Sequence, residues 1–112
     1  MEKLTFNEKK IISEYIRRMQ KQFPKQISKS ILFGSKARGD SHQRSDIDIL
    51  VVLNTDDEKV KGRIQDLSWD VMMDYNFTSF LSPIVFLKKQ HRQYKKWNSS
   101  FLSVISREGL LL

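Results

Sequence analysis

Cysteine is absent from the 112 residues, which excludes disulfides and thiolate metal sites and makes the cytoplasm the default setting. No apolar run approaches the ~20 residues that span a bilayer, so no membrane insertion is expected. The opening Met1-Glu2-Lys3-Leu4 lacks the apolar core of a signal peptide. Repeats, low-complexity tracts and linker-like stretches are missing too, so residues 1–112 are expected to form a single domain. A chain this short buries only about two-thirds of its unfolded surface. Reliance on a partner is therefore expected.

What is present is the composition of an ordinary soluble globule, 39% apolar and 29% charged. The net charge of +7 is spread unevenly. Residues 1–29 carry eight Lys or Arg against three Asp or Glu, residues 30–55 three of each, residues 56–80 three against six, and residues 81–112 six against one. Basic ends of this kind could attract RNA, a nucleotide or an acidic partner at long range, although a solvated basic face explains them better.

The richest stretch runs from Gly34 to Asp48. Gly34 follows the apolar run Ser30-Ile31-Leu32-Phe33 and can take backbone angles closed to other residues, so a triphosphate could approach the main chain there and meet the Ser35 hydroxyl. Asp46 and Asp48 stand two apart in a strand-like run, which aims both side chains at one face. Two like charges there repel unless a cation lies between them, and hard carboxylate oxygens suit Mg²⁺. Taken singly, a Gly-Ser pair is an ordinary turn and two aspartates an ordinary solvated strand entry. Their combination, ahead of the apolar run Ile47 to Leu53, points to nucleotidyl transfer at the wet end of a sheet.

Leu32-Phe33-Gly34-Ser35-Lys36-Ala37-Arg38-Gly39-Asp40 followed by Ser45-Asp46-Ile47-Asp48-Ile49 resembles the signature of the DNA polymerase β-like nucleotidyltransferase superfamily. Small size and the later run Leu81-Ser82-Pro83-Ile84-Val85 make the chain similar to the minimal nucleotidyltransferases, which often act as antitoxins to HEPN-domain ribonuclease toxins. The resemblance implies an α/β (α+β) palm, a small mixed three-stranded sheet with helices packed on it. It also implies an enzyme that moves AMP from ATP to a hydroxyl, such as a tyrosine of a HEPN-type toxin. Asp46 and Asp48 would be the catalytic, Mg²⁺-holding pair, and Gly34, Ser35, Arg38 and Ser45 would bind the nucleotide. Arg38 offers a planar fork to phosphate oxygens but could equally be an exposed structural arginine, and Lys36 is expected to face solvent. Alternatives are a non-catalytic module that binds nucleotide or masks a partner, and a transferase acting on RNA ends or a small molecule.

One departure from the superfamily concerns its third carboxylate. Aligning Phe80-Leu81-Ser82-Pro83-Ile84-Val85 with the later strand places Ser82 where an aspartate is expected, and a hydroxyl binds a cation poorly. Asp70 and Asp74, one helical turn apart, could supply the missing oxygen, although an acidic solvated face explains them better.

Periodicity sets the remaining expectations. Leu4, Phe6, Ile11, Ile12, Tyr15, Ile16, Met19 and Phe23 predict a helix over 7–22, capped by Asn7 and stopped by Pro24. A strand at 30–34, a short helix from Ser35, a loop to Ser45 and a central strand at 46–53 follow. A helix after Asn54 carries the stripe Val60, Ile64, Leu67, Val71 and Met72. Pro83 marks a strand at 79–87 as an edge. A basic helix over 88–97 and a last helical stretch over 99–107 complete the chain. His42 and His91 lack zinc-site spacing and are expected at the surface. Tyr94, Trp97 and Phe101 could stack on bases but are expected to pack against the sheet or a partner.

Overall fold

The computed structural model describes residues 4–39, 46–97 and 99–112. In chain order the elements are α1 (Phe6–Gln22), β1 (Ile27–Phe33), α2 (Ser35–Arg38), β2 (Ile47–Leu53), α3 (Glu58–Asp74), β3 (Leu81–Phe86), α4 (Lys88–Lys96), α5 (Ser100–Glu108) and β4 (Leu110–Leu111). Among the described residues the sheet has four strands in the order β3-β2-β1-β4, which corrects the expected three. β2 runs parallel to β3 and antiparallel to β1, and β4 adds two residues antiparallel to β1. A strand that short shows no alternation, so sequence pattern could not reveal it.

α1 starts one residue earlier than its apolar period implies, because Thr5 rather than Asn7 is its cap. The Thr5 hydroxyl accepts from the Glu8 amide at 3.0 Å, and the Glu8 carboxylate accepts from the Thr5 amide at 2.9 Å, a reciprocal capping box. Asn7 instead donates to the Thr78 hydroxyl at 2.7 Å. α1 and α3 share one face of the sheet, where Ile11, Tyr15, Met19, Ile64, Leu67 and Val71 meet Leu32, Ile49, Val51 and Val85. Each such buried aliphatic side chain stabilises the fold by about 1.5–3 kcal/mol. The Tyr15 hydroxyl donates to the Ile64 carbonyl at 2.9 Å, joining the two helices through an otherwise apolar interior.

α4 and α5 cover the opposite face, packing on Leu50, Val52 and Phe86 through Tyr94, Phe101, Leu102 and Ile105. β2 is therefore sandwiched, as its nearly unbroken apolar run required. Tyr94 and Phe101 pack as expected, with Phe101 edge-on to Phe33 at 5.7 Å and Tyr94 beside Phe86 at 4.7 Å between centroids. Trp97 does not reach the sheet and is exposed. β3 is an edge strand, which accommodates Pro83. It starts at Leu81 rather than Ser79, because Asn76 and Phe77 both hold positive φ in the turn that leaves α3. No helix among the described residues is long and apolar enough to cross a membrane.

Candidate active site

Three strands present one residue each in a row at the end of the sheet. Asp48 of β2 stands opposite Phe33 of β1 on one side and opposite Ser82 of β3 on the other. Directly paired residues share a face of a sheet, so all three project toward the side covered by α4 and α5. Asp46 precedes β2 by one residue and, by the two-residue repeat, projects the same way; it is exposed, whereas Asp48 is half-buried.

β1 ends where it meets this row, and the next residue is Gly34, with φ 75° and ψ −157°. A Cβ built there would overlap the Asp48 carboxylate. Glycine is required twice over, once for the angles and once for the space. α2 then makes a single turn, its Gly34 carbonyl accepting from the Ala37 and Arg38 amides at 3.1 Å each, and Gly39 closes it in the left-handed conformation with φ 80°.

Charge is arranged asymmetrically around the row. Burial, then the neighbouring Asp46 charge, push the Asp48 pKa above its ordinary value, and Arg38 offsets only part of this. Arg38 also lies 3.6 Å from Glu108 of α5, across a cleft of about 240 Å³ whose walls include Phe33, Gly34, Phe101 and Val104. Lys36 contradicts expectation: only 3% exposed, it turns under α2 and forms an ion pair with Glu8 of α1 instead of facing solvent. Burial alone would raise the Glu8 pKa, but hydrogen bonds from Lys36 and the Thr5 amide outweigh it and hold the carboxyl below its ordinary value.

The nucleotidyltransferase domain family matches residues 12–104. The chain belongs to this family. The nucleotidyltransferase is 36% identical to a Methanocaldococcus jannaschii protein named "Putative protein adenylyltransferase MJ0604", over 95% of this chain and 98% of that one. Among solved structures it is similar to a chain of a toxin-antitoxin complex with AMP-PNP, at TM-score 0.53 and 19% identity, covering 87% of this chain and 68% of the other. A chain of a mutant MntA-HpeT toxin-antitoxin complex gives TM-score 0.53 at 17% identity, covering 86% and 68%. At such identities the likeness speaks for the fold, a mixed sheet with helices on it.

Of the residues singled out from sequence, the nucleotidyltransferase brings Gly34, Ser35, Arg38, Asp46 and Asp48 to one end of the sheet. Ser45 lies outside the described residues, as does the expected loop over 40–44. Ser82 stands directly beside Asp48, so no carboxylate enters from β3. Asp70 and Asp74 are engaged elsewhere, with Arg63 at 3.3 Å and Arg18 at 2.7 Å. Among the described residues no group of three or more His, Asp or Glu is gathered for a metal. Sequence reading missed two contributors. Glu8 was findable only as a helix cap, because Thr5-x-x-Glu8 is a helix-start signature, and its pairing with Lys36 was not. Glu108 was not, since only the packing of α5 carries it to Arg38.

Proposed function

We propose that residues 1–112 act as one Mg²⁺-dependent protein adenylyltransferase that moves AMP from ATP to a hydroxyl of a partner protein, serving as antitoxin to a HEPN-type ribonuclease toxin in the cytoplasm. The observation that carries this reading is the packing of the Gly34 backbone against the Asp48 carboxylate with Asp46 alongside. A triphosphate gripped at the turn thereby lies next to two acidic oxygens. The name of the Methanocaldococcus relative and the toxin-antitoxin neighbours agree with it.

The donor set fits Mg²⁺. Asp46 and Asp48 supply hard oxygens, and the burial and mutual repulsion that raise the Asp48 pKa are the strains a cation relieves. Mg²⁺ takes one or two carboxylates and completes its shell with water and phosphate oxygens, so a serine at position 82 is tolerable. When bound it neutralises triphosphate charge and acidifies the attacking hydroxyl. The chain's own residues position the reactants: Gly34, Ser35 and Ser45 hold the phosphates and Arg38 offers its fork to the anion. The acceptor hydroxyl gives its proton to water, its oxygen bonds to the α-phosphorus, the bond from that phosphorus to the oxygen bridging to the β-phosphate breaks, and pyrophosphate departs. The Ser82 hydroxyl cannot accept the acceptor's proton as a carboxylate would, which makes the transfer slow.

A protein acceptor also fits the surface beside the site. The Ile47 amide, between the two aspartates, donates to the Phe80 carbonyl at 2.8 Å. Phe80 itself is more than half exposed. Apolar surface of this kind marks contact with a macromolecule more than with a small substrate.

Incubation with Mg-ATP and the candidate toxin, followed by intact mass measurement, tests the reading. A gain of whole AMP units is expected, and Asp46→Asn with Asp48→Asn should abolish it without unfolding the protein. Equal labelling by that double variant would overturn the assignment. Ser82 beside Asp48 favours one second reading, a nucleotide-binding module that restrains its partner by masking alone; there, parent and double variant would protect equally.

A further inference from the structure

A cavity of about 390 Å³ lies on the α4/α5 side of the sheet, toward the end away from the aspartates. Its floor is apolar, formed by Ile31 of β1, Leu50 of β2 and Leu102 and Ile105 of α5. Its rim is cationic, with Lys29 of β1 and His91 and Lys95 of α4. Lys29 pairs with Val52, four residues beyond Asp48, which places the rim about 13 Å along the strand from that carboxylate. Neither Asp48, Gly34 nor Arg38 contributes to the lining.

Among the described residues no acidic side chain lines this cavity, and no ion pair engages Lys29, His91 or Lys95. The two lysines act on the imidazole: burial first, then Lys29 and Lys95, push the His91 pKa below its ordinary value. Two exposed ammonium groups flanking a half-buried imidazole present a basic rim that suits an anion. His91, expected at the surface, is half-exposed at the edge of this cavity.

A volume of this size suits a small ligand held by a largely apolar lining and a few placed polar groups. We infer that this cavity is a second ligand site, taking a nucleoside monophosphate with its phosphate among Lys29, His91 and Lys95 and its base on the floor of Ile31, Leu50 and Leu102. Two ammonium groups and an imidazole match a phosphate dianion better than a monoanionic carboxylate. The Ser106 hydroxyl and the backbone at Gly109 stand at the same rim and can meet polar edges of the base. The site is independent of the aspartate pair, so it survives if the proposed transfer reaction fails.

The Asp46→Asn, Asp48→Asn protein in EDTA silences the metal-dependent site and is titrated with AMP while the two histidine rings are followed by NMR, His91→Gln giving the assignment. Saturable movement of the His91 signals with Kd below about 1 mM is expected. An upward shift of the His91 pKa on binding should accompany it. Lys29→Gln with Lys95→Gln should weaken AMP by about tenfold or more and leave the melting temperature unchanged. Inorganic phosphate should bind at least about tenfold more weakly than AMP, since it leaves the floor uncovered. Unmoved His91 signals would overturn the inference. So would equal affinity for AMP and phosphate, undiminished binding by the lysine variant, or binding of a short RNA without binding of AMP.

Discussion

Replacing Gly34 by alanine tests the geometry on which the site rests. At φ 75° and ψ −157° the backbone occupies a region open essentially to glycine alone, and forcing another residue into it costs about 1–3 kcal/mol. The added Cβ also overlaps the Asp48 carboxylate, which must swing away or drive β1 from β2. A combined cost of about 2–3 kcal/mol, set against an unfolding entropy of about 0.24 kcal/mol/K for a chain this long, lowers the melting temperature by about 8–13 °C. Gly62 provides the internal control. It lies within α3 with nothing within 4 Å of where its Cβ would stand, so Gly62→Ala should stabilise by about 0.5–1 kcal/mol, roughly 2–4 °C. Calorimetry on the two variants thus yields opposite signs from one chemical change. Transfer by Gly34→Ala should fall by about 100-fold, the scale of loss when a reacting group is misplaced by an ångström. A Gly34→Ala protein melting within about 2 °C of the parent and transferring AMP normally would refute the reasoning.

Lys36→Met should destabilise by about 3–5 kcal/mol in urea unfolding, because it strands the buried Glu8 carboxylate. Adding Glu8→Gln should recover part of that loss, and additive costs would show that the pair is not coupled. Acid should weaken the fold through lowered carboxylates. Glu8 and Glu14, the latter held at about 2 by Arg17 and Arg18, contribute stability that is complete above their ordinary value of 4.5 and is lost as pH falls through their folded values. Urea midpoints measured from pH 6 downward should therefore decline below about 4.5, and Glu14→Gln should shallow the slope. Ser82→Asp would set a third carboxylate in register with Asp48. Thermal melts should then show a less stable metal-free protein and a larger rise on adding Mg²⁺ than the parent gives, with equal rises in both proteins counting against a metal beside Asp48.

Long elements were legible in the sequence because their burial is periodic. The apolar stripe of α3 and the run of β2 are read directly from spacing, and both match the structure within a few residues. β1 was seen only in its second half. Its first residues, Ile27 to Lys29, contain a register shift that breaks the two-residue alternation, so Ser28 and Lys29 look like loop. The paired aspartates and the glycine turn were legible because their chemistry is local, within fifteen residues of chain. Contacts that close the site from a distance were not, since Glu8 reaches Lys36 and Glu108 reaches Arg38 only after α1 and α5 have packed.

Those distant contacts assign separate tasks to the residues of the Gly34-Ser35-Lys36-Ala37-Arg38 turn. Gly34 admits the carboxylate, Lys36 and Ala37 face the α1 side, and Arg38 faces the α5 side and the cleft. A one-turn helix has too few hydrogen bonds to hold its own orientation. The Lys36–Glu8 pair, itself locked by the capping box at the start of α1, supplies the missing anchor from outside the turn. Lys36, buried against Glu8, therefore acts as a positioning residue for the turn in which Gly34 meets Asp48. Loss of the anchor in a Lys36→Met protein that still folds should reduce the rate of transfer more than the affinity for nucleotide, because the grip of the turn survives while its alignment with the carboxylates does not.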